Sequence, residues 1–228
     1  DHNLEKMMDT HEMGRKTYNK LKKAMQYISS IHIPIILIVF IPLALGWIYP
    51  NIFTPVHIIF LEIIMGPTCS IIYENEPMED NLMLQKPRPL TTTFFNLKEV
   101  LISIIQGLVI TLGLLFIYQY AIGEHLSENG TRTLIFLTLI TSNIVLTLAN
   151  RSFYYSIFKT IQYKNNLVGL IIGITILMTG LLLFIPAFSR FFLFEMVSGS
   201  QIGICVLVGS ISVLWVEIYK VFKRRKSN

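Results

Sequence analysis

The chain has 228 residues, 53% of them hydrophobic and 14% charged, with mean hydropathy +0.58 and a formal net charge of +5. A soluble domain carries about 25% charged residues, so the composition excludes an ordinary soluble domain and points to lipid as the solvent. The positive excess is gathered at the ends of apolar segments and forms no nucleic-acid-type stripe, which leaves a membrane surface as its partner and no nucleic acid.

Residues 1–27 are polar and carry no helix breaker except Gly14. They predict a helix that either continues into the first apolar segment as a cytoplasmic stalk or lies on the lipid surface. Six apolar segments follow, near 28–49, 54–73, 99–120, 133–149, 167–186 and 202–222. About 20 apolar residues cross hydrocarbon as a helix. None of these segments alternates as a barrel strand would, and a backbone in lipid must satisfy its own hydrogen bonds. The expected fold is an all-α polytopic membrane protein: a stalk over 1–27, six transmembrane helices over 28–222, and a basic tail over 223–228.

Lys and Arg set the expected orientation. Lys6, Arg15, Lys16, Lys20, Lys22 and Lys23 precede the first span. Lys86, Arg88 and Lys98 lie between the second and third, and Arg151, Lys159 and Lys164 between the fourth and fifth. Lys220, Lys223, Arg224, Arg225 and Lys226 close the chain, and the opposite loops hold only Arg132 and Arg190. Both termini are therefore expected in the cytoplasm, with the protein in the plasma (inner) membrane. Tyr49-Pro50-Asn51-Ile52-Phe53 is a tight uncharged turn that makes the first two spans a hairpin. Cys69 and Cys205 lie in apolar segments with no metal or redox spacing and read as free buried thiols.

Polar groups at membrane depth are the candidate functional residues. Glu62, mid-way through the second span, is the only carboxylate deep in the first five. A carboxylate alone there is held neutral by the cost of burying charge, whereas one beside a cation ionises and serves as an oxygen ligand. His32 lies near the start of the first span, followed by Pro34, and Gly66-Pro67-Thr68 follows Glu62. Proline frees a carbonyl in the preceding turn, and interrupted helices at membrane depth line cavities where such carbonyls bind ions. The expectation is a helix-break or cavity region at Pro34, Gly66, Pro67 and Thr68. Asn143 in the fourth span offers a neutral oxygen, or an interhelical hydrogen bond. Glu217 reads as an ion pair with Lys220. Asn129-Gly130-Thr131 fits a glycosylation acceptor in an outer loop. No phosphate loop, nucleophile triad or zinc pattern is present, so no catalytic residue is expected in this chain.

Asp1-His2-Asn3-Leu4 followed by Gly14-Arg15-Lys16-Thr17-Tyr18-Asn19 resembles the stretch that runs from the phosphorylation domain into the fifth membrane helix of calcium-pump-type P-type ATPases. Thr54-Pro55-Val56, Glu76-Pro77 and Lys86-Pro87-Arg88-Pro89 resemble the pattern around that family's sixth helix, and Asn150-Arg151-Ser152 the end of its eighth. The resemblance covers essentially the whole chain. It implies that the six spans are the family's fifth through tenth and that residues 1–27 are the stalk coupling ATP-driven phosphorylation to ion movement. His32 falls on a ligand Asn and Glu62 on another, a gain of charge. Asn143 falls on the eighth-helix Glu or Gln position. Ile35, Met65 and Gly66 replace a ligand Glu, Thr and Asp. The implied cation-binding set is Glu62, His32 and Asn143, with Glu62 as the metal ligand, and Lys86, Pro87, Arg88 and Pro89 would form a coupling loop docked on the phosphorylation domain. The cation would be calcium, manganese or a proton, since one carboxylate is few for calcium and histidine suits a softer ion.

The resemblance further implies that ATP and Mg²⁺ are used by parts outside this chain, which opens on Asp1 rather than Met. The first four spans and the phosphorylation and nucleotide domains would be its partners, and alone it would be inactive. The alternative is a non-transporting scaffold or regulatory subunit built from the same helices, which the missing ligands favour and Glu62 opposes. A secondary carrier is disfavoured by the lack of an internal repeat.

Overall fold

A computed structural model describes residues 2–77 and 97–228. The expected coupling loop Lys86–Pro89 lies outside the described residues. Among those described, every regular element is helical: α1 (His2–Ala44), α2 (Pro55–Pro67) passing into a π-helical segment (Thr68–Tyr73), α3 (Leu97–Gly123), α4 (Glu128–Ala149), short α5 (Ile157–Thr160), α6 (Asn166–Phe184), short α7 (Pro186–Phe191) and α8 (Gly199–Ser227). Six of these stretches, counting α2 with its π-helical extension, are long and apolar enough to cross a membrane.

Helix α1 has 43 residues, so at 1.5 Å per residue it is about 65 Å long. That is roughly twice a hydrocarbon core of about 30 Å, and the polar first half is the part left over. Pro34 and Pro42 both lie inside it without ending it. The expected break at Pro34 is therefore absent. The carbonyl that Pro34 deprives of a partner belongs to Ser30, which is buried, with its hydroxyl bonded to the Ser103 carbonyl and to Gln106. Neighbouring helices hold the local geometry that proline weakens.

The bundle is organised around α4, the most buried of the spans. It packs on α3 and α8, while α1 packs along α3. Two glycines permit the closest approaches. A Cβ on Gly209 of α8 would stand 2.8 Å from the Thr138 carbonyl of α4, and one on Gly107 of α3 would stand 2.7 Å from the Ile33 Cβ of α1. Cys205 is free and buried at the α4–α8 contact, its thiol 3.4 Å from the Leu134 carbonyl.

Charged clamps hold both ends of the bundle. At one end Arg132 is buried, although its position suggests a loop cation. Its guanidinium donates to the carbonyls of Ile52 (2.6 Å), Asn51 (3.2 Å) and Leu193 (3.0 Å) and to Asn129 Oδ1 (2.7 Å). It thereby ties α4 to the α1–α2 turn and to the segment after α7. Helix α4 starts at Glu128, five residues before the expected apolar boundary, because these polar residues are covered by that turn. The glycosylation expectation fails for the same reason: Asn129 accepts from Arg132 and Thr131 is fully buried in the helix. Nearby, Thr54 N–H donates to His57 Nδ1 (3.0 Å) and His57 Nε2–H donates to the Phe192 carbonyl (2.6 Å).

At the other end Arg151 donates twice to Glu76, at 2.5 and 3.0 Å, and both side chains are at most 3% exposed. Asn165 donates to the Ile72 carbonyl (2.9 Å) and to Glu76 (3.3 Å). The expected Glu217–Lys220 pair is present at 2.8 Å, and Lys220, wholly buried, also donates to the Ala149 carbonyl (2.7 Å). Removing one partner of a buried ion pair leaves an uncompensated charge and costs about 3–5 kcal/mol. Arg151→Met should therefore lower stability by about that amount, and the double change Arg151→Met/Glu76→Leu should recover most of it. Denaturant unfolding in detergent micelles measures both.

Candidate cation site

The α1–α2 hairpin brings His32 and Glu62 together, 30 residues apart in sequence. His32 Nε2 lies 2.7 Å from Glu62 Oε1. On its other side His32 Nδ1 lies 2.8 Å from the carbonyl of Ile28, one turn earlier in α1. A carbonyl can only accept, so Nδ1 carries a hydrogen. The contact between Nε2 and Oε1 then requires a second proton, held either by the imidazole or by the carboxyl. The pair is a proton-sharing unit, oriented by the α1 backbone.

The pair lies on an open face of the bundle. Its side chains are 33% and 49% exposed, for His32 and Glu62 respectively. Around them Ile36, Phe40, Ile59 and Ile63 are all exposed as well. By contrast Ile35 and Met65, which replace expected ligands, are buried in the apolar core. The polar pair therefore sits at the centre of an uncovered apolar strip along α1 and α2.

Asn143 does not join the pair. It is buried, and its Oδ1 accepts a short hydrogen bond from the hydroxyl of Tyr27, itself fully buried. Tyr27 in turn contacts the Tyr73 ring at 5.6 Å, and the Tyr73 hydroxyl donates to the Thr147 carbonyl (3.1 Å). Asn143 thus fastens α1 to α4 on the interior side.

Beyond Glu62 the helix changes register. Pro67 leaves the Ile63 carbonyl without its α-helical partner, and the backbone continues as a π-helix from Thr68. Thr68 is buried, its hydroxyl 3.3 Å from the Ile64 carbonyl, while Gly66 is exposed with open space where a Cβ would stand. Gly66, Pro67 and Thr68 stand where the α-helical pattern passes into the π-helical one, and π segments recur at functional sites. Lys20 of α1 donates to the Glu74 carbonyl just after it.

No group of three or more His, Cys, Asp or Glu residues with metal-holding geometry exists among the described residues. His32 and Glu62 supply two donors, against the six to eight oxygens a calcium ion takes. Any cation held here needs further ligands from outside the pair. Sequence reasoning missed Arg132, the Glu76–Arg151 pair and the Tyr27–Asn143 bond. Only the helix contacts could reveal them, because each joins segments at least 75 residues apart or caps a loop carbonyl.

Similarity to known proteins fits this architecture. The chain is 25% identical to a calcium-transporting ATPase of Listeria monocytogenes over 96% of its length and 26% of the relative's. It is 25% identical to calcium-transporting ATPase 1 of Bacillus cereus over 98% of its length and 27% of the relative's. For calcium-transporting ATPase 1 of Schizosaccharomyces pombe the identity is 25%, over 99% and 25% respectively. The chain thus spans about a quarter of the length of the curated relatives it matches.

If Tyr27 and Asn143 serve each other, their effects on stability are not additive. Tyr27→Phe and Asn143→Ala should each destabilise, and a double-mutant cycle by unfolding in micelles should show a coupling of about 1 kcal/mol. Residues 50–222 match the family of cation-transporting ATPase C-terminal regions, and the chain belongs to that family.

Proposed function

We propose that this chain is the C-terminal membrane part of an ATP-driven cation pump of the P-type, in which Glu62 and His32 contribute to the cation site. The observation that carries this reading is the proton-sharing pair on an uncovered apolar face. A carboxyl left facing acyl chains is costly. A face of this kind is suited to being covered by further membrane helices, and the relatives are about four times longer than this chain. In the proposal the first four spans of the same pump close over α1 and α2 and bring the missing ligands. ATP, with Mg²⁺, is used by the phosphorylation and nucleotide domains, and this chain contributes no catalytic residue to that chemistry.

The arrangement suggests how transport is coupled. A cation arriving at Glu62 takes over the carboxylate oxygens and displaces the shared proton. His32 is oriented by Ile28 of its own helix, whereas Glu62 is on the next one. Because α1 is continuous from residue 2 to residue 44, a movement of its polar half, the proposed cytoplasmic stalk, reaches His32 and changes its distance to Glu62. The π-helical segment gives α2 a place to yield. Lys86, Pro87, Arg88 and Pro89 would dock on the phosphorylation domain. Asn143 acts as an anchor for α1 through Tyr27. Calcium is the cation named for the relatives, and it is the first to test. A softer divalent ion such as manganese fits the histidine better.

In the intact pump, Glu62→Gln should raise the concentration of cation giving half-maximal ATPase stimulation by about tenfold or more, the effect of losing a charged ligand. It should also lower by about one the protons released per cation bound in weakly buffered solution. A panel of calcium, manganese and magnesium identifies the ion. Unchanged stimulation together with unchanged proton release would remove Glu62 from the site.

A further inference from the structure

The connection between α4 and α6 contains the single turn α5. Both flanking helices are long and apolar enough to cross a membrane, so the connection stands at the edge of the apolar layer. Its composition agrees with that depth. Arg151, Lys159 and Lys164 stand there among Tyr154, Tyr155 and Tyr163, and basic and amphipathic aromatic residues gather where hydrocarbon meets water.

The turn is fixed to the bundle on one face. The Ser156 hydroxyl accepts from Lys159 N–H at 3.4 Å and caps α5. Ile157 N–H donates to Glu217 of α8 at 3.3 Å, and Arg224 of α8 donates to the Tyr154 carbonyl at 2.5 Å. Thr160 is buried, its hydroxyl directed at the carbonyls of Ser156 and Ile157, and Phe153 and Ile157 pack on the apolar core. The other face is bare: Phe158 is 84% exposed and Ile161 62%. Three positions apart, they stand on one side of the turn. Neither contributes to the core, so folding alone gives no reason for apolar residues at these two positions.

The size and setting of this face select its occupant. Two side chains are too little area for a stable protein contact, which buries about 800 Å² on each partner. They are enough for a lipid surface, where each apolar group gains by its own transfer from water. Lys159 folds over the Tyr155 ring, its Nζ 3.9 Å from the centroid, so its charge is already engaged and the apolar pair is what α5 offers to its surroundings. An apolar face flanked by lysines at this depth has the composition of an element lying in the membrane interface.

We propose that α5 is an interfacial anchor: Phe158 and Ile161 sit at the boundary between headgroups and acyl chains, and the bilayer surface is the partner of this face. Because Glu217 and Arg224 hold the turn to α8, the anchor ties the ends of α4, α6 and α8 to one depth in the membrane. The proposal depends neither on the cation reading nor on which side of the membrane this end faces.

Spin labels placed singly at Phe158 and Ile161, in the protein reconstituted into phosphatidylcholine bilayers, test it by their access to dissolved oxygen and to a water-soluble nickel chelate. Both sites should be open to oxygen and severalfold less open to nickel than a label at Lys226 in the exposed tail. A label at Gln162 reads the anchor from beside it. Phe158→Ser/Ile161→Ser should raise nickel access there severalfold and leave helical content unchanged, since neither side chain lies in the core. Nickel access at Phe158 and Ile161 equal to that at Lys226 places α5 in water and overturns the proposal. Shielding of both sites from oxygen and nickel alike means a protein cover and overturns it too. So does a Gln162 label indifferent to the double change.

Discussion

The contact between His32 and Glu62 is the constraint from which the rest follows. A carboxyl group at membrane depth must be neutralised, paired or hydrated. Here it is paired with an imidazole whose other nitrogen is committed to the backbone of its own helix. That commitment orients the imidazole towards Glu62. The surrounding isoleucines and phenylalanine are tolerable in lipid or under another helix, but the pair is favourable only under a polar cover. In the proposed pump, α1 and α2 are the side of the bundle that further membrane helices cover.

The complete side is built differently. Helix α4 is enclosed by α3 and α8, with glycines at the tightest approaches and small polar residues bonded within the bundle. Arg132 at one end and the Glu76–Arg151 pair at the other tie its ends to the hairpin and loops. Buried ion pairs are weak sources of stability but strong determinants of register, since a wrong alignment strands a charge. A firm α3–α4–α8 block with a hairpin leaning on it suits a device in which α1 moves against a fixed frame.

Much of this was legible in the sequence. Six apolar runs and their flanking cations gave the spans, and the short uncharged turn before Thr54 gave the hairpin that unites His32 with Glu62. Reading apolar runs placed the start of α4 too late, because an arginine within reach of loop carbonyls looks like a boundary and is in fact buried. Proline rules overstated the break at Pro34, where packing of Ser30 against α3 keeps the helix continuous, yet they found the change at Pro67. Asn143 reads in the sequence as a ligand or as an interhelical hydrogen bond, and the structure gives it the second role. Its partner Tyr27 is 116 residues away, and no local pattern reveals which face of a buried asparagine is already taken.

In the proposed pump, the face carrying Glu62 is an internal contact of a larger membrane assembly. Spin labels at Ile59 and Ile63, read by their accessibility to dissolved oxygen in lipid bilayers, probe that contact. Both positions should be open to lipid-dissolved oxygen in the 228-residue chain and shielded when the four spans proposed to precede it are present. Equal exposure in the two preparations would contradict the claim.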